Sequence, residues 1–462
     1  MKYLISFIIV LFAISCNSTD SVSNATYFGG QIINPKTNFV LLLKDDVVLD
    51  TINLDEENKF LQEYNSLNEG LYTFKHGSEF QYIFIEPQDS ILVRLNTWDF
   101  DESLVFSGRG GNKNEYLINL FLQNEKEEKA VFYNQYFDLD EIKFEAKLDS
   151  IAKVREFVFN EFTENELGLS DGFVELTKVA IYYPLYRLKE LYPYYYKNIQ
   201  NLDSYPELSN QFLNYRNSVD LNKKELISFY PYQNYVINYM YNLGSQLKVK
   251  DSSKNNLTIN TLNSIVENVE FEEFKNTLLK RVVLNDFLRS ETSCMINDKV
   301  HTLFNENCTN ESFKTQVNNL VNDSKAIENS KALPSFEIEN YSNSTKDITS
   351  IIQNKNTLIY FWSTDYMTSE YLYNKIKNLE KTLPEVLFIG INMSDYNNVL
   401  SEPNLKKLNI NKQFKLTETS EAHSFLTSQY PRVIIVNKDG IVENGFTFLD
   451  SKKLYQELYA LK

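Results

Sequence analysis

The stretch LIYFWSTDYMTSEYL, residues 358–372, decides how this chain is read. Thr357–Trp362 is a run of apolar and aromatic side chains, the composition of a strand. Ser363-Thr364-Asp365 breaks the run with residues that favour turns and helix N-caps. Thr368–Leu379 then reads as a helix, and Val386–Asn392 as a second strand. Further on, Ser420–Thr427 reads as a helix, Arg432–Asn437 and Ile441–Phe446 as strands, and Ser451–Leu461 as a closing helix. Asn437-Lys438-Asp439-Gly440 supplies the turn of the last hairpin.

A βαβ unit followed by a hairpin and a helix is the order of the thioredoxin fold. The stretches LIYFWSTDYMTSEYL, FIGINMS (388–394) and TSQYPRVIIVNKDGIV (427–442) together resemble the envelope thiol–disulfide reductases of the TlpA-like thioredoxin branch. The resemblance covers about residues 333–462. In that family the strand ends in Phe-Trp and a Cys-x-x-Cys opens the next helix. Here Phe361 and Trp362 match, but the two cysteine positions fall on Tyr366 and Ser369. The chemistry needs a first thiol whose thiolate is stabilised at a helix N-terminus, and a second that resolves the mixed disulfide. A phenol cannot take that role, and a serine hydroxyl needs a nearby base that no histidine provides in sequence. No catalytic residue is therefore assigned, and the ordinary redox function is expected to be lost. Ser369 reads as a polar residue of the helix's first turns, with Thr364 or Asp365 as N-cap. Tyr430-Pro431-Arg432 occupies the place of the family's cis-proline. The resemblance implies a cis bond before Pro431 and a groove at Trp362, Tyr430 and Pro431 that docks an extended peptide.

The N-terminus carries a targeting segment. Lys2 precedes Leu4–Ile14, an apolar run of 11 residues broken only by Ser6. A spanning helix needs roughly 20 apolar residues, so this run suits a signal-peptide core. Ala13-Ile14-Ser15-Cys16 resembles the lipobox of bacterial lipoproteins, which implies that Cys16 is lipidated and holds the chain to a membrane. That gives a signal peptide at 1–15, a tether at 16–25 and a cell-envelope location. Asn17 after the cysteine, where enteric bacteria often place an inner-membrane Asp, favours the outer membrane by analogy.

Three regions follow the tether, giving a multidomain α+β chain: a β-sandwich at 26–111, a helical region at 112–325 and a thioredoxin-like α/β domain at 326–462. The first is a series of short β-branched and aromatic runs separated by turns. Glu86–Val93 and the ending Phe106-Ser107-Gly108 resemble the small sandwich of many thioredoxin-like lipoproteins of Bacteroidota-type bacteria. In the second, Phe271, Phe274, Leu278 and Val282 lay one stripe on a helix. Tyr and Pro cluster at 189–198 and 224–241, either as aromatic helix packing or as a surface that stacks on glycan or peptide, with Tyr194, Tyr195, Tyr196 and Tyr232 as its candidates. AIENSKALPSF, 326–336, reads as a linker.

Composition narrows the functions. Lys and Arg number 46 against 62 Asp and Glu, a formal net charge of −16, so no nucleic-acid footprint is expected. Three cysteines and three histidines, each histidine isolated, give no metal-ligand spacing, and no cofactor is assigned. Gly168-Leu169-Ser170-Asp171-Gly172 matches G-x-S-x-G, but a helical pattern precedes it, so it reads as a helix–helix turn capped by Ser170 or Asp171. Gly108-Arg109-Gly110-Gly111-Asn112 lacks the Lys of a P-loop and reads as a domain-exit turn. Cys294 and Cys308, 14 residues apart, form either a structural disulfide or a substitute redox pair; a further alternative is thiol–disulfide exchange with a partner that supplies the thiols. The partners expected are the membrane, through the anchor, and an extended peptide or envelope protein.

Overall fold

The computed structural model describes residues 25–461 except 167, 251–255, 290–295, 365 and 394–406. It is a multidomain α+β chain that divides into two compact units, Met1–Asn238 and Tyr239–Lys462. The composition changes near 111 and 325 are changes of secondary structure, and the compact units part elsewhere, within a helix.

In the first unit β1 (Thr26–Ile33), β2 (Phe39–Lys44), β3 (Val47–Asn53), β4 (Lys59–Tyr64), β5 (Gly70–His76), β6 (Glu79–Ile85), β7 (Ser90–Asn96) and β8 (Val105–Ser107) form two four-stranded sheets. Their orders are β4-β1-β7-β8 and β3-β2-β5-β6. Alternate residues of both sheets, among them Phe28, Val40, Phe74, Ile83 and Val93, meet in one core, which makes a sandwich. His76 is buried there and accepts from Lys36 N at 2.9 Å, while burial holds its ring below its ordinary pKa.

α1 (Gly111–Tyr133) does not leave the sandwich. It packs on β6, β7 and β8, puts Ile118 into their core, and its Asn114 side chain bonds both N and O of Phe84 at 2.7 and 2.8 Å. Gly110 caps it at φ 88°, and a Cβ there would meet the Asp89 carboxylate at 2.5–2.8 Å, so the turn before the helix needs glycine. α2 (Glu141–Asn165) and α3 (Asp171–Ile199) follow, and α4 (Tyr230–Lys250) crosses the division between units. Ser170 Oγ accepts from Phe173 N at 3.1 Å and caps α3, with helix α2 upstream, so the G-x-S-x-G string is a helix start.

In the second unit α5 (Leu257–Asn268), α6 (Glu272–Arg289), α7 (Asp298–Asn307) and α8 (Glu311–Ala326) precede a seven-stranded sheet. Its strands are β9 (Glu337–Asn340), β10 (Thr345–Asp347), β11 (Thr357–Trp362), β12 (Leu387–Asn392), β13 (Gln413–Leu416), β14 (Arg432–Val436) and β15 (Val442–Thr447). Helices α9 (Ile348–Ile352), α10 (Ser369–Thr382) and α11 (Leu454–Tyr459) complete the domain. The order is β10-β9-β13-β12-β11-β14-β15, with β11 parallel to β12 and antiparallel to β14. That topology, with α10 between two parallel strands and a closing hairpin and helix, is thioredoxin-like. Of the expected stripe, Phe274, Leu278 and Val282 are buried on α6, while Phe271 precedes the helix and is half-buried.

Four local expectations change. Residues 420–427 contain only the 3₁₀ turn Glu421–Phe425, and the closing helix is confined to Leu454–Tyr459. Strands β9, β10 and β13 were not expected; they are short and carry Lys, Asn and Glu, which hides their alternation. Residues 326–336 are no linker. Ile327, Leu333 and Phe336 are core residues, and the segment runs along β15 through Ser330 N to Val442 O at 2.7 Å, Val442 N to Lys331 O at 2.8 Å and Leu333 N to Gly440 O at 2.9 Å.

Candidate functional site

The two faces of the sheet differ because strand residues alternate. On β11, Ile359 and Phe361 enter a core with Phe336 and Phe425. Leu358, Tyr360 and Trp362 face Leu372, Ile376 and Leu379 of α10. The site where a thioredoxin domain works lies at the carboxyl end of β11, the start of α10 and the entry to β14.

Tyr366 and Ser369, which the sequence comparison sets against the family's two cysteines, lie at the turn into α10 and at its first residue. Tyr366 N and Met367 N both donate to Ser363 O at 3.2 Å, turning the chain towards α10. The helix begins at Ser369, and its N-cap is Thr368, whose Oγ1 accepts from Tyr371 N at 3.2 Å. This replaces the expected cap at Thr364 or Asp365; Asp365 lies outside the described residues. The Tyr366 ring is 52% exposed and lies 5.8 Å from the ring of Tyr430, centroid to centroid, at 40°. Burial first, and then the neighbouring Tyr366, raise the Tyr430 phenol above its ordinary pKa.

Pro431 follows Tyr430, but the peptide bond before it is trans, against the cis bond expected. The turn into β14 is made one residue earlier than that bond, at Gln429, with φ 59°. Trp362 is also elsewhere than expected. It is 1% exposed, packed in the core under α10, and its Nε1 has no hydrogen-bond partner. Of the three groove candidates, Tyr430 therefore meets Tyr366, Pro431 follows it in the chain, and Trp362 is buried under α10.

Sequence reading missed what holds the Tyr430 loop. Asp323 of α8 is buried and accepts from Thr427 N and Oγ1 at 3.1 and 2.7 Å, and from Ser428 N and Oγ at 2.8 and 2.6 Å. Arg432 is buried too; its Nη1 donates to Phe425 O at 2.8 Å and Asp323 O at 3.1 Å. Its guanidinium lies 4.9–5.8 Å from the rings of Phe361, Phe425 and Phe446. Burial pulls its pKa down to about 10, with Asp323 opposing. An arginine opening the otherwise apolar run RVIIV was the one signal available. Nothing marked Asp323.

The other candidates separate from this site. Cys308 is buried, and Cys294, the other half of the expected bridge, lies outside the described residues. Burial raises the Cys308 thiol, the wrong direction for a reactive thiolate. Cys16 also lies outside the described residues. In the Tyr-rich region Tyr232 is wholly buried, with its hydroxyl donating to Asp220 O at 3.1 Å, and Tyr192 and Tyr235 are buried as well. Tyr195 lies in a stack with Phe137 at 4.7 Å, and Tyr194 alone of the four candidates is half exposed. Aromatic packing accounts for the cluster. Among the described residues, no group of three His, Cys, Asp or Glu is placed to hold a metal, and no helix is long and apolar enough to cross a membrane.

No protein-family model matches the chain, and no curated protein matches it. Solved structures that resemble part of it include a thiol-disulfide oxidoreductase from Bacteroides fragilis, at 17% identity over 29% of this chain and 100% of that one, with a TM-score of 0.25. A candidate thiol-disulfide oxidoreductase from Bacteroides vulgatus matches at 15% identity over 29% of this chain and 98% of its own, TM-score 0.25. A candidate thiol:disulfide interchange protein, DsbE, from Chlorobium tepidum matches at 10% identity over the same shares, TM-score 0.25.

Proposed function

We propose that this chain is a lipid-anchored envelope lipoprotein whose thioredoxin-like domain binds an extended polypeptide at Tyr366, Tyr430 and Pro431 without exchanging thiols. The observation that carries the reading is the Tyr366–Tyr430 ring pair, set where a redox domain would keep its cysteines, with Tyr366 exposed. Exposed aromatic rings give contact area at low entropic cost and tolerate varied sequences. No cysteine follows Cys308, so the domain has no thiol of its own to transfer. The lipobox-like Ala13-Ile14-Ser15-Cys16 supports the anchor.

The test uses the mature chain and insulin B chain with carboxymethylated thiols, a flexible probe that cannot exchange disulfides. Saturable binding by fluorescence anisotropy is expected, weakened about tenfold or more in Tyr366→Ala and Tyr430→Ala. Thiol-dependent reduction of native insulin by the pure protein would overturn the reading, as would binding that ignores both substitutions.

A further inference from the structure

The outward face of the β4-β1-β7-β8 sheet departs from the polar exterior usual for a sandwich. Registers place Leu61, Gly29 and Leu92 in one row across three strands. Leu61 is 62% exposed and Leu92 42%. Gly29 between them has no room for a side chain, because a Cβ would meet the backbone Phe60 O at 2.7 Å; Leu61 Cδ1 lies at the same distance, so the leucine lies across the glycine and makes the row an apolar strip. The next row runs Lys59, Gln31, Arg94 and Val105, with Val105 54% exposed. Beyond the end of β7, Trp98 is 72% exposed.

Cys16 stands close in sequence to this sheet. β1 is the strand that carries Gly29, and it begins at Thr26, nine residues after Asn17. Residues 17–25 reach at most about 32 Å when extended. If Cys16 carries acyl chains, as proposed above, this sheet is held within that distance of a bilayer. We propose that the Leu61–Gly29–Leu92 strip, with Val105 and Trp98, rests on the interfacial layer of that bilayer. Exposed leucine with a tryptophan at the margin suits such a layer, where one end of the indole is apolar and the other wet. Lys59 and Arg94 on this face are offset by Glu63, and Asp99 and Glu102 flank Trp98, so the contact is with zwitterionic lipid and is apolar in origin. A few side chains give marginal affinity alone; tethering raises their effective concentration and makes the contact persist.

The contact rests on the anchoring reading, so the two are tested apart. Flotation of the native protein and Cys16→Ser with vesicles tests the anchor. For the face, the mature chain carries a hexahistidine ahead of Asn17 and is held on phosphatidylcholine vesicles containing nickel-chelating lipid, independently of Cys16. With brominated acyl chains, Trp98 emission is expected to shift to the blue and lose much of its intensity, with little change between low and high salt. Trp362, being buried, contributes a constant background. Leu61→Glu with Leu92→Glu should abolish the quenching while circular dichroism and vesicle attachment stay unchanged. Equal quenching in the tethered parent and the double variant, or none in the parent, overturns the proposal. Quenching that appears only with anionic lipid and vanishes with salt overturns it too.

Discussion

Asp323 and Ser428 are 105 positions apart and share two short hydrogen bonds, from the Ser428 amide at 2.8 Å and its hydroxyl at 2.6 Å. With the matching pair from Thr427, one buried carboxylate organises the segment that delivers Tyr430 to Tyr366. Removing it leaves four donors without their acceptor, on an exposed Thr427 and a half-buried Ser428 that water can reach in part. Asp323→Ala is therefore expected to lose about 1–3 kcal/mol, read from the urea midpoint. Amide exchange at Thr427 and Ser428 should rise with it. An unchanged midpoint would show that the carboxylate is dispensable.

Thr368 caps α10, and Thr364 does not. Thr368→Ala should cost about 1 kcal/mol through loss of the bond to Tyr371 N. Thr364→Ala, at an exposed position, should stay within about 0.5 kcal/mol of the parent. Denaturant unfolding of both variants decides between the two caps, and the reverse ranking would restore the cap read from sequence.

Gly390 sits between Tyr360 and Gln413, whose side chains meet at 2.7 Å in the core. A Cβ on it would lie 2.2 Å from Gln413 Oε1 and 2.7 Å from Tyr360 Oη. Gly390→Ala should destabilise by about 1–3 kcal/mol through overpacking. In a Gln413→Ala background the same change should cost at least about 1 kcal/mol less, because the nearer obstacle is gone. Additive costs in that double-mutant cycle would refute the clash.

Alkaline stability follows from the tyrosines. Burial pushes Tyr116 and Tyr183 up to about 12, and raises Tyr232 and Tyr360 as well. Between the ordinary phenol value, about 10, and these folded values, the unfolded chain loses protons that the native chain keeps. Their stabilisation is thus complete below pH 10 and disappears as pH rises through the folded values. Arg432, lowered to about 10, acts with the opposite sign above that pH, but it is one group against several. Tyrosinate absorbance is expected to appear together with unfolding, and Tyr116→Phe should flatten the loss. Early, non-cooperative ionisation of most tyrosines would contradict this.

What could be read in advance was whatever neighbours in sequence decide. β11, β12 and β14 are continuous apolar runs, and their observed bounds fall within a residue of the expected ones. Trp362 was misplaced because the family motif outweighed alternation: positions 358, 360 and 362 share a face, and α10 covers it. The Pro431 isomer and the Asp323 clamp depend on how distant segments meet, and no local pattern records that; the α10 cap is local, and Thr364, Asp365 and Thr368 offered equivalent side chains for it.

The pairing of residues 329–333 with the far hairpin has a consequence for synthesis. Ala332 meets Ile441, and Asn329 Oδ1 accepts from Gly445 N at 2.8 Å. A chain emerging N-terminus first holds Ile327 and Leu333 without their cover until more than a hundred further residues have followed. This edge of the second unit therefore closes late, and a chain truncated before Val442 would present those side chains to any quality-control protease that meets it.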